Sequence, residues 1–234
     1  MLKEYQISSP ALRGSRRVWV DRSAIADARQ LCVFLDAELY LERVGAAAIM
    51  ESLGLPIDCV YISYGEAADR HADFTCDPGF TAFLVEELMP WIEGLLGVYK
   101  EKYLCGLSLS GLAAAFVGCT YPSQFKGVLC QSPSAWWNDE WLANNLPAVG
   151  PDSPKFWLSV GTEEIQEGVT HEPSGMFQGT TQLASCRRLA EALRNSGRTV
   201  NLNEFTGGHD PKCWAEELPM GMPWLLNSGI EAHQ

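Results

Sequence analysis

The chain has 234 residues, 47% of them hydrophobic, 10% aromatic and 20% charged, too apolar for a disordered segment and of a length that suits one large domain or at most two small ones. A net charge of −12 and a pI near 4.7 argue against a nucleic-acid-binding face and against docking on an anionic membrane. No apolar stretch is long enough to span a bilayer, and residues 1–17 lack the apolar core of a signal peptide, so the expectation is an acidic globular protein of the cytoplasm.

In chain order, residues 16–20 (RRVWV) and 31–36 (LCVFLD) read as strands, the second a near-continuous apolar run of the kind buried in a parallel sheet. The spacing of Leu41, Val44, Ala48 and Met50 predicts a helix over 41–53, stopped by Gly54 and Pro56. Residues 59–64 (CVYISY) form another buried strand. The polar segment 65–79 reads as a loop, long enough to suggest a functional role. A helix over 80–96 starts behind Asp77 and Pro78 and ends at Gly97. A strand at 102–108 runs into a turn, and a small-residue helix follows over 112–121. Strands at 125–132, 155–160 and 199–205 and amphipathic helices over 180–195 and 211–226 complete the chain. No internal repeat, low-complexity tract or linker interrupts it. Repeated strand-then-helix units predict a mostly parallel central sheet with helices on both faces, an α/β fold in a single domain over residues 1–234.

The strongest chemical signal is the strand-turn-helix around Ser108, in the run Cys105-Gly106-Leu107-Ser108-Leu109-Ser110-Gly111-Leu112. A nucleophile elbow needs small residues around its serine, because the backbone is strained and strand and helix approach closely. Gly106 supplies the position two before Ser108. Ser110 stands where glycine would complete G-x-S-x-G, and the helix beyond is rich in alanine. The plainer reading is a turn with a serine N-cap. A serine nucleophile needs a base, and the histidines are His71, His171, His209 and His233. His209 lies in FTGGHD, directly after the last strand, where paired glycines let the loop bend. His71 and His171 fall in the wrong part of the Ser-acid-His order, and His233 lies in the tail. The acid is expected after strand 155–160, where Glu163 and Glu164 compete; Glu164 is favoured, and Asp210 is weaker because it adjoins His209.

These residues carry a family resemblance. The run GLSLSGLAAAFVGCTYPSQFKGVLCQSPSAWW, with Pro122, Phe125, Gln131, Ser132, Ser134, Trp136 and Trp137 in place, resembles the nucleophile region of the enterochelin (enterobactin) esterase family. GGHDPKCW (207–214) resembles that family's histidine signature, closed by Trp214. FLDAELY (34–40) is similar to its "DG" oxyanion segment, and RHADF (70–74) to its "R-x-x-E-L" segment. The resemblance covers the chain from about residue 30 and implies an α/β-hydrolase fold of the short, single-domain type. It further implies a serine carboxylesterase with Ser108 as nucleophile, His209 as base and Glu164 as acid. Backbone N–H groups of Leu109 with Ala37 or Glu38 would form the oxyanion hole. Three departures stand out: Ser110 and Ala37 replace glycines, and Asp73 replaces a glutamate.

Such a site would work through an acyl-enzyme on a small-molecule ester, with no metal or organic cofactor. The substrate is expected to be a small or aromatic ester, including the siderophore type, although the chain's acidity would repel a strongly anionic ferric complex. Trp136, Trp137 and Trp214 are candidates for an aromatic wall or for plain core residues, and Arg70 for meeting an anionic group or for a solvated loop. The eight cysteines are scattered with no C-x-x-C pair and read as free thiols. Only His209 with Cys213 approaches zinc-ligand spacing. The alternatives are a catalytically silent binding protein of the same fold, or a thiol enzyme using Cys105 or Cys213. Oligomeric state is not legible.

Overall fold

Five apolar strands organise the molecule: β3 (Gln30–Leu35), β4 (Ile57–Ile62), β5 (Glu101–Leu107), β6 (Gly127–Gln131) and β7 (Lys155–Gly161) are buried almost throughout. Strands covered on both faces must be apolar in this way. β1 (Lys3–Ser8), β2 (Ser15–Asp21) and β10 (Val200–Phe205) are only partly buried. In the computed structural model, which describes residues 2–10, 12, 14–25 and 30–226, the eight strands form one sheet of order β1-β2-β4-β3-β5-β6-β7-β10. β1, β2 and β4 pair antiparallel in succession; the other pairings are parallel. This is the α/β-hydrolase arrangement expected from the sequence. His233 lies outside the described residues.

Alternate residues feed two cores. Leu31, Val33 and Leu35 face a cluster that includes Phe83, Leu88, Leu112 and Leu189, from helices on one side. Cys32 and Phe34 face Tyr40, Met50, Leu218 and Met222 on the other. The first cluster is covered by α4 (Pro78–Ala82), α5 (Met89–Leu96), α6 (Ser108–Thr120) and α8 (Gln182–Asn195), with a π-helical stretch, Phe83–Leu88, between α4 and α5. The second is covered by α1 (Ala37–Leu39), α2 (Ala46–Ser52) and α9 (Pro211–Leu226). Among the described residues no helix is long and apolar enough to cross a membrane.

Three local expectations change. The helix expected over 41–53 is interrupted, because a π-helical turn at Tyr40–Val44 ends in left-handed Gly45 before α2 begins. The polar segment 65–79 contains a helix, α3 (Ala67–Asp73). Its stability is tertiary: buried Arg16 on β2 holds Asp73 at 2.7 Å. A short hairpin of β8 (Val169–His171) and β9 (Met176–Gln178) lies between β7 and α8; α7 (Trp137–Asn144) begins at the second tryptophan of the Trp136–Trp137 pair.

α9 is tied to the sheet through a buried polar cluster. Gln131 Nε2 donates to Glu217 Oε2 at 2.5 Å and to the Trp214 carbonyl at 2.9 Å, while Gln131 Oε1 accepts from Tyr40 Oη at 3.1 Å. Trp157 Nε1 also donates to Glu217. Burial pushes the Glu217 carboxyl above the ordinary glutamate range, opposed by the hydrogen bonds from Trp157 and Gln131. A raised carboxyl favours the folded state only while protonated, so its contribution is present at low pH and is lost as pH rises through the raised value. The Tm difference between Glu217→Gln and the native chain, variant minus native, should therefore increase from about pH 4 to about pH 8. Thermal unfolding across that range tests this, and a flat or decreasing difference would contradict it.

Candidate active site

Ser108 stands directly after β5 with φ 53, a left-handed conformation unusual for a residue with a Cβ. Gly106 makes the turn possible: a Cβ there would lie 2.1 Å from the Ser110 carbonyl oxygen. Ser110, where the family pattern has glycine, is fully buried. Its Oγ accepts from the Leu107 N–H at 3.0 Å and is 2.8 Å from the Leu107 carbonyl, so the serine ties the turn together instead of crowding it. Leu109 follows in the first turn of α6, where backbone N–H groups have no intrahelical partner.

The histidine and acid loops meet through two glycines. A Cβ on Gly161 would lie 2.3 Å from the Gly207 carbonyl oxygen, and Gly207 takes φ 139. The loops are joined by hydrogen bonds from Thr162 N–H to the Phe205 carbonyl at 2.8 Å and from Glu163 N–H to the Gly207 carbonyl at 2.9 Å. Glu164 is thereby buried at 6% exposure while Glu163 faces solvent, which separates the two competing glutamates. His209 Nδ1 lies 2.6 Å from Glu164 Oε2, and its Nε2 lies 2.9 Å from Ser108 Oγ. A carboxylate only accepts, so Nδ1 carries the proton and Nε2 accepts from the serine hydroxyl. Asp210 instead accepts from the Lys212 N–H.

The three side chains open onto a cleft of about 680 Å³ whose walls include Leu109, Ser134, Trp136, His171 and Met176. Trp136 stacks on His171, with centroids 4.9 Å apart and planes at 13°. His171 Nε2 donates to Gln178 Oε1 at 2.9 Å. His171 and Met176 come from the β8–β9 hairpin, whose three-residue strands are too short to carry a periodic signal. His71 also reaches the cleft, and burial together with Arg70 holds its imidazole below the usual range.

Other expected residues are placed differently. Trp137 does not line the cleft; it packs on the core and meets Trp141 edge-on, with centroids 6.4 Å apart. Trp214 is buried behind His209, edge-on to it at 4.8 Å, and is no wall of the cleft. Ala37 is the first helical residue of α1, so its Cβ is unstrained; Asp36 before it takes the left-handed φ of 66. Ala37 and Glu38 stand outside the lining of the cleft, and Glu38 Oε1 lies 3.5 Å from Arg17. All eight cysteines are free, seven of them buried, with only Cys213 partly accessible.

Arg70 reaches the cleft, but its guanidinium is committed to fully buried Asp36: Nε is 3.0 Å from each carboxylate oxygen and Nη2 is 2.5 Å from Oδ2. Of the two readings of Arg70 from the sequence, an anion contact or a solvated loop charge, the pairing matches neither: the charge is balanced within the protein by Asp36. Arg70→Ala would strand a buried carboxylate and should cost about 3 kcal/mol, the low end for a broken buried pair because Arg70 is itself partly exposed. Thermal unfolding should show a Tm fall of roughly 6–12 °C, and Arg70→Lys should recover only part of it, since lysine cannot bind both oxygens in one plane.

Comparison with known proteins bears on the family and the fold. An iron(III) enterobactin esterase from Dickeya dadantii (strain 3937) is 29% identical over 237 residues, covering 93% of this chain and 53% of that protein. A crystal structure of the enterobactin esterase from Shigella flexneri, determined in the presence of enterobactin, has a TM-score of 0.81 at 26% identity, covering 96% of this chain and 58% of that one. A siderophore hydrolase from Aspergillus nidulans shares the fold, with a TM-score of 0.77 at 16% identity over 98% of this chain and 96% of its own. The chain spans about half the length of the curated enterobactin esterases it matches. A model of the family described as "Putative esterase" matches residues 33–225, and the chain belongs to that esterase family.

Proposed function

We propose that the protein is a serine carboxylester hydrolase that works through an acyl-enzyme. The observation that carries this reading is the unbroken line Ser108 Oγ, His209 Nε2, His209 Nδ1, Glu164 Oε2, with separations of 2.9 and 2.6 Å across its two hydrogen bonds. Ser108 Oγ attacks the ester carbonyl as His209 Nε2 takes its proton, and the imidazolium is held by the Glu164 carboxylate. His209 then returns the proton to the leaving alcohol. Water, activated by the same nitrogen, frees the acid and restores Ser108. The Leu109 N–H at the start of α6, together with an N–H from Ala37 or Glu38, would stabilise the oxyanion.

The relatives' names point to enterobactin and other siderophore esters as one substrate class. The stacked Trp136–His171 wall supports an aromatic acyl group. The charge of the cleft narrows the choice. Arg70 is neutralised by Asp36, while Glu163 and Glu172 stand exposed at the rim. An uncharged, small or aromatic ester suits such a mouth better than a polyanionic metal complex. The free thiols fit a reducing compartment such as the cytoplasm.

A fluorophosphonate probe should label Ser108 stoichiometrically, located by mass spectrometry, and the protein should hydrolyse short-chain and aromatic p-nitrophenyl esters. Ser108→Ala should abolish both. Glu164→Gln should lower kcat by about 10⁴-fold, because it lets the imidazole take the wrong tautomer, whereas Glu163→Gln should leave kcat nearly unchanged. A protein with the native fold but neither adduct nor turnover would be a binding protein, and the esterase reading would fall.

A further inference from the structure

Ser132 is the fully buried residue that follows β6, with a left-handed φ of 42. Its backbone is held there by a hydrogen bond from its N–H to the Ser159 carbonyl at 2.8 Å and by Gln182 Nε2, which donates to its carbonyl at 2.5 Å. Its hydroxyl lies 2.6 Å from Glu164 Oε1, and Trp214 Nε1 lies 3.0 Å from the same hydroxyl. The direction of these bonds follows from chemistry. An indole nitrogen can only donate and a carboxylate can only accept, so Ser132 Oγ receives from Trp214 and spends its one proton on Glu164.

Glu164 Oε1 also accepts from the Gly161 N–H at 2.8 Å, so that oxygen holds two donors and Oε2 is left to His209. We propose that Ser132, itself oriented by Trp214, is a positioning residue that fixes the plane of the Glu164 carboxylate, so that one of its oxygens stays on His209 Nδ1 and holds the tautomer that activates Ser108. This rests on the esterase reading for its consequence in catalysis, while the coupling to the His209–Glu164 pair stands apart from it. A residue held left-handed costs on the order of 1 kcal/mol or more relative to glycine. Glycine would relieve that cost but has no hydroxyl to offer the carboxylate.

The test is a double-mutant cycle with two readouts. Ser132→Ala should lower kcat/KM by about tenfold, as expected for loss of one hydrogen bond to a charged group. In the Glu164→Gln background the same change should cost less than about twofold, since the carboxylate through which it acts is gone. The far-downfield NMR resonance of the His209 Nδ1 proton should move in Ser132→Ala and vanish in Glu164→Gln. Ser132→Gly, suited to the positive φ, should repeat both effects and serves if the alanine variant folds poorly. Equal losses in both backgrounds with an unmoved resonance would make Ser132 a structural residue only and overturn the proposal. A protein that turns over no ester but whose resonance responds to Ser132→Ala would keep the coupling and sink the esterase reading.

Discussion

The site depends on a contact from which two side chains are missing. At the ends of β7 and β10, Gly161 and Gly207 bring their backbones so close that a methyl group on the first would overlap the carbonyl of the second. Parallel neighbouring strands end side by side, but loops leaving them usually diverge around their own side chains. Here the loops stay hydrogen-bonded beyond the sheet, through Thr162 and Glu163 to Phe205 and Gly207. That extension sets the 2.6 Å spacing between Glu164 and His209 through the backbone alone.

What was legible in the sequence follows from this backbone. Ser108, the carboxylate after 155–160 and His209 could be found because each follows a strand, strongly apolar in the first two cases and alternating in the third, and lies beside glycines that a plain connection would not need. The choice between Glu163 and Glu164 was harder to read, since adjacent carboxylates differ only in which way the turn points them. That is decided by the Glu163 N–H bonding to Gly207. The direction of Trp214 was hidden for a similar reason: a tryptophan four residues into a helix can face a cleft or a core, and a buried hydroxyl as its partner is a tertiary fact. α3 escaped notice because its support comes from Arg16, more than fifty residues earlier in the chain.

Beneath the cleft, polarity is arranged in two layers. Ser132 and Glu164 lie on the cleft side of the sheet's end, while the side chain of Gln131, immediately before Ser132, turns to Glu217 and Tyr40. Alternation along β6 thus sends one residue to the site and its neighbour to the clamp on α9. The clamp holds the start of the helix through Gln131 Nε2 and the Trp214 carbonyl. The indole of that same Trp214 reaches back to Ser132. Helix docking and the hydrogen bonding of Glu164 therefore share one residue, and a change in the packing of α9 would be felt at Glu164.

The same local device occurs at three neighbouring strand ends. β3, β5 and β6 lie side by side in the sheet, and each is followed at once by a left-handed residue that is not glycine: Asp36, Ser108 and Ser132. Glycine would be the easier residue at every one of these positions, but each carries a side chain that makes a contact at or beneath the cleft. Asp36 holds Arg70, Ser108 meets His209, and Ser132 meets Glu164. The strain is supported by neighbours: the carbonyl of Ser108 accepts from the Ser134 N–H at 2.9 Å, and Ser132 is held by Ser159 and Gln182. Left-handed turns also throw the chain sharply off the strand axis, so these side chains stand at the rim of the sheet while the next residues start helices or pack beneath. With three such turns side by side, an otherwise apolar sheet presents two hydroxyls and a carboxylate at one end of its strands, at a cost of a few kcal/mol that the two cores beneath readily offset.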